Sequence, residues 1–99
     1  MKELPGETRT LENMMDDYVV RAHCSYNLED ALEELQAIDE TVRPGVEIDA
    51  EDFRVRMAHL YFHLNTAWNS RNLSAAALEV LDDHEACKFP SDLEPLKVY

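Results

Sequence analysis

Apolar side chains along this chain recur at steps of three and four residues, the spacing that 100° per residue gathers on one side of an α-helix. The first such series, Leu11, Met14, Met15, Tyr18, Ala22 and Tyr26, predicts a helix from about Leu11 to Cys24. Asn27 followed by Asp30 has the form of a capped restart. Beyond it Leu28, Ala31, Leu32, Leu35, Ile38 and Val42 make a second stripe opposite Glu29, Glu33, Glu34 and Glu40, which predicts a second helix over 28–42. Arg43-Pro44-Gly45 ends it, because proline disfavours helical geometry in the residue before it and glycine permits a turn.

Asp49 is a good N-cap, and Asp52 three residues later can meet free backbone N–H groups, so a long third helix is expected from Ala50 to Arg71. Its main stripe is Phe53, Met57, Leu60, Tyr61, Leu64, Ala67 and Trp68. Val55, Ala58 and Phe62 project from the other side, as in a helix with neighbours on two sides. After a break at Asn72 or Ser74, Ala75 to Glu85 forms a fourth pattern with Leu78, Val80 and Leu81 free to pack. Pro90 and Pro95 make 88–99 a mostly irregular tail with a turn of helix at Ser91 to Glu94, and 1–9 is an N-terminal arm.

The 99 residues are enough for one core and too few for two, so the expectation is a single all-α domain. It is an antiparallel bundle of about four helices, with a three-helix core plus a flanking helix as the alternative. With 45% hydrophobic residues, 2 Gly and 4 Pro, the composition is that of a packed helical protein. No apolar run nears the roughly 20 residues of a membrane span, and Met1 to Glu7 has no secretory pattern, so the expected location is cytoplasmic. Two distant cysteines, Cys24 and Cys87, are too few for a disulfide scaffold and are expected as free thiols.

Charge narrows the choice of partners. The net charge is −12, and residues 1–52 hold 15 acids against 4 Lys or Arg, so the acidity belongs to the first half. Nucleic acid and anionic membrane are disfavoured, and another protein or a second copy of the chain is the expected partner. The run Glu29, Asp30, Glu33, Glu34, Asp39 and Glu40 also admits an acidic nucleic-acid mimic that inhibits a basic protein; a solvated helix face accounts for the same residues. Between Phe53 and Arg71 the third helix carries Arg54, Arg56 and Arg71 and no acid, which makes it complementary to the second.

His59 and His63, four apart, share a helix face and could both reach one metal ion, with His23, Cys24, His84 or Cys87 as a third ligand. The spacing resembles the paired helical histidines of hemerythrin-like bundles at this one point. The Glu-x-x-His of di-iron carboxylate proteins and the His-Glu-x-x-His of zinc proteases are both missing. Asn65, Asn69 and Asn72 are unusual in and at the end of a helix, where Asn costs about 0.5 kcal/mol relative to Ala. Asn72 ends the helix, while Asn65 and Asn69 either bond to neighbouring segments or, with Tyr61, Phe62, Trp68 and Arg71, form the wall of a partner or ligand pocket. Neither cysteine lies in a catalytic motif, and no phosphate loop or nucleophile elbow occurs. The sequence therefore points to a non-enzymatic protein-interaction module or homo-oligomer, with a metal-binding bundle using His59 and His63 as the alternative.

Overall fold

A computed structural model describes residues 18–97. Within them the chain is all-α and forms a small antiparallel helical bundle of two long helices and two short ones. These are α1 (Tyr18–Thr41), α2 (Ala50–Asn69), α3 (Ala75–Glu79) and α4 (Asp83–Ala86). The α1–α2 hairpin dominates, with α3 touching α1 and α4 touching α2. Pairings of Asn27 with His63, Glu34 with His59 and His23 with Ser70 descend α2 as they climb α1, so the two helices run antiparallel.

The break expected at Asn27 does not occur. A single helix runs through it from Tyr18 to Thr41, and the stretch 11–17 of the first expected helix lies outside the described residues. Asn27 is buried inside α1 and donates back to the His23 carbonyl at 3.1 Å, so its amide serves the helix interior. No glycine or proline stands in this stretch, and the small Asn penalty does not outweigh a continuous backbone ladder.

α1 ends as expected. Thr41 Oγ1 donates to the Ile38 carbonyl at 2.8 Å, and Gly45 takes φ +90°, a left-handed geometry that suits glycine. Asp49 caps α2 by accepting from the N–H groups of Glu51 and Asp52 at 2.9 and 3.0 Å. α2 stops at Asn69, two residues short of the expected Arg71, with Ser70 as its C-cap.

The expected fourth helix is two short ones. Ser74 caps α3, and Asp82 accepts from the His84 N–H to start α4 afresh. Ser91 to Glu94 bends without forming helix. The core is small: Ala31, Ile38 and Leu60 are buried together, with Phe53 and Met57 packed against them. Of the expected α1 stripe only Ala31 and Ile38 are buried, while Leu28, Leu32, Leu35 and Val42 stay exposed.

Candidate functional site

The hairpin has two flanks of opposite character. On one, a hydrogen-bonded chain of polar groups links α1 to α2. Ser70 Oγ donates to the Thr66 carbonyl at 2.7 Å and meets His23 Nδ1 at 3.2 Å. Asn27 Nδ2 faces the His23 carbonyl and, at 3.5 Å, His23 Nε2, while its Oδ1 lies 3.0 Å from His63 Nδ1. His63 Nε2 is 3.2 Å from His59 Nε2, and His59 Nδ1 is 3.0 Å from Glu34 Oε1. Glu34 also pairs with Arg56, which reaches back to Asp52 on its own helix at 3.0 Å; these two acids hold the guanidinium firmly protonated.

The other flank is apolar. Leu28, Leu32 and Leu35 of α1 are each about half exposed, at 48, 55 and 50%. They continue into a groove of about 770 Å³ bounded by Leu28, Tyr61, Leu64, Trp68, Phe89 and Leu93. The floor of the groove comes from α2 and its outer wall from the C-terminal tail. The Tyr61 and Phe89 rings are 5.2 Å apart.

Trp68, Arg71 and Asp92 fasten that wall. The Arg71 guanidinium lies 3.5 Å above the Trp68 ring, and its Nη1 donates to the Trp68 carbonyl at 2.7 Å. Trp68 Nε1 donates to Asp92 Oδ1 at 2.9 Å, and Arg71 Nη2 lies 3.4 Å from Asp92 Oδ2. The Trp68 hydrogen bond, with help from Arg71, holds the Asp92 carboxyl below its ordinary range, against the opposing effect of burial. Arg71 Nε and Thr66 Oγ1 are buried with no hydrogen-bond partner among the described residues.

The sequence-selected residues thus divide among different tasks. Tyr61, Asn65, Trp68 and Arg71 border the groove. Asn65 also donates to the Cys87 carbonyl at 3.0 Å, and Asn69 to the carbonyls of Ala86 and Lys88 at 2.7 Å, so both amides fix the segment after α4. Phe62 is half-buried on the polar side, its ring edge-on to His63 at 5.1 Å. Cys24 borders the groove as a free thiol whose ionisation is pushed up by burial; Cys87 is also free.

His59 and His63 are brought together, whereas His23 meets them only through Asn27 and His84 stands on α4. As the side chains stand, no group of three His, Cys, Asp or Glu among the described residues is gathered to hold a metal ion. The nearest further carboxylate is Asp30, whose Oδ2 is 3.9 Å from His63 Nε2. Sequence reasoning missed Asn27 and Glu34 as partners of the histidine pair. The available signal was a His-x-x-x-Asn step at 23 and 27 that continues to Asp30 and Glu34 along one side of α1.

No helix among the described residues is long and apolar enough to cross a membrane. No protein-family model matches the chain, and neither does any curated protein or solved structure.

Proposed function

We propose that this protein is a non-enzymatic interaction module of the cytoplasm whose apolar flank pairs with the same flank of a second copy. The observation that carries this reading is the exposed series Leu28, Leu32, Leu35 and Val42. Its steps of four, three and seven are those of a helix–helix seam, with Asp39 in the one polar position. Nothing else on α1 demands such a spacing on a solvated side, where leucines at random would not follow a repeat.

A second copy suits the surface better than an unrelated chain for two reasons. A stripe of this kind is complementary to itself about a two-fold axis, and two hairpins laid flank to flank make a four-helix arrangement. Several acids of α1 also stand aside: Asp30, Glu33 and Glu34 project about 100° or more around the helix from each of the leucines, while Glu29 and Glu40 border the stripe. Salt reduces the repulsion that two acidic copies bring to this flank.

Sedimentation velocity over a range of concentrations tests the reading, with Leu32→Glu and Leu35→Glu as the disrupting changes. A reversible dimer that either substitution abolishes is the expected result. A wild-type protein that stays monomeric at every concentration refutes it.

A further inference from the structure

The polar flank carries a second assignment, independent of the apolar one, that follows from counting donors. Ser70 spends its hydroxyl proton on the Thr66 carbonyl, so His23 Nδ1 must donate to Ser70 Oγ. His23 Nε2 then bears a lone pair. That agrees with Asn27 Nδ2 facing both this nitrogen and the His23 carbonyl. The reverse amide orientation would set Asn27 Oδ1 against a carbonyl oxygen at 3.1 Å.

With Asn27 oriented this way, its Oδ1 can only accept, so His63 Nδ1 carries the proton. Glu34 is a carboxylate and can only accept, so His59 Nδ1 carries the proton as well. With a proton on each Nδ1, the two Nε2 atoms face each other across 3.2 Å with nothing but their lone pairs unless a cation, a proton or a metal ion, lies between them. Two lone pairs at that distance repel, and the arrangement calls for a cation between them.

From this we infer that His59 and His63 are ligands of a divalent transition-metal ion of the zinc class, bound through their Nε2 atoms, with Asp30 as the third protein ligand. Two nitrogens at 2.0–2.1 Å from a tetrahedral zinc ion are about 3.3–3.4 Å apart, close to the separation found here. Asp30 is more than half exposed, and its Oδ2, 3.9 Å from His63 Nε2, closes to that spacing by a side-chain rotation. Glu34 and Asn27 hold the two rings from behind through Nδ1–H, which is how ligating histidines are oriented in metal sites. His59 is 56% exposed, so the ion has a path in from solvent and room for a bound water.

Titration of the untagged protein with zinc and with cobalt, followed by calorimetry and by cobalt visible absorption, tests the assignment. One saturable equivalent is expected, lost in His59→Ala and in His63→Ala and weakened about tenfold in Asp30→Asn and in Glu34→Gln. Since His63 is largely buried and its loss could unsettle the hairpin, imidazole NMR on the wild type provides a test free of substitutions. Zinc must shift the ring signals of His59 and His63 and leave that of His84 in place. Absence of saturable binding, binding that survives loss of both histidines, or shifts centred on other histidines would each overturn the assignment. A wild type that takes no metal while the two rings share one proton overturns it too, and identifies the cation as a proton.

Discussion

If the leucine stripe is a self-association seam, truncating Leu32 must weaken the dimer more than it weakens the fold. Leu32→Ala removes three carbons, worth about 2.4 kcal/mol when fully buried, at about 0.8 kcal/mol for each. In a single copy 55% of Leu32 is still exposed, so pairing can gain only about half of that, or about 1.3 kcal/mol. A two-fold dimer contains the residue twice, which brings the expected loss to about 2.6 kcal/mol, close to a hundredfold in Kd.

Sedimentation equilibrium measures that ratio directly. Urea unfolding of dilute, monomeric protein supplies the contrast, since by the same reckoning the covered part of Leu32 should move monomer stability by only about 1.1 kcal/mol, well under a core truncation. Glu33→Ala, beside it in sequence but projecting to another side of α1, should leave Kd within about threefold. The argument fails if Leu32→Ala and Glu33→Ala change Kd equally. It fails as well if Leu32→Ala destabilises the monomer as a core truncation does, because the residue would then be covered by its own chain.

Leu60→Ala, at the centre of the small core, should cost about 2–5 kcal/mol in urea unfolding, a large share of the stability of so small a domain. Asp49→Ala removes the acceptor for two N–H groups at the start of α2 and should cost about 1 kcal/mol by the same assay, whereas Asp49→Ser should recover most of it. For Asp92 the sign follows from a folded-state carboxyl held below its ordinary range. Its contact with Trp68 is fully favourable above the usual carboxylate range and is lost as pH falls through the lowered value. Fluorescence of the sole tryptophan should therefore show an acid step below the ordinary Asp range that is absent in Asp92→Asn; an identical step in both proteins would refute the link.

The antiparallel helical class was legible from periodicity, and so was α2, because Asp49, an unbroken apolar stripe and the later Ser70–Asn72 region agree along that segment. Asn27 misled because its amide has two uses in helices. At an N-cap it would accept from open backbone N–H groups, but here it donates one turn back and accepts from a histidine 36 residues away. Only the partner helix decides between them, and one-dimensional spacing does not contain the partner. The same holds for the α1 stripe: periodicity identified Leu28, Leu32 and Leu35 as apolar and aligned with Ala31 and Ile38. That α2 covers the alanine and isoleucine and leaves the leucines open depends on the rotation of one helix against the other.

That rotation also explains why the polar and apolar features segregate. Ala31 and Ile38 set the line of closest approach between α1 and α2, so residues to one side of it on both helices meet across one edge and those to the other side across the opposite edge. On α1 the first edge receives Asn27, Asp30 and Glu34, and on α2 it receives Arg56, His59 and His63; the second receives the leucines, Tyr61, Leu64 and Trp68. Binding at one edge need not displace anything at the other, yet both depend on the same line of packing. A metal clamp across the polar edge would fix the angle at which the leucine stripe is presented, so zinc should tighten self-association if both assignments hold. Measuring the dimer Kd with and without one equivalent of zinc reads that coupling. An unchanged Kd, with metal binding and dimerisation each independently present, would show that the two edges act separately.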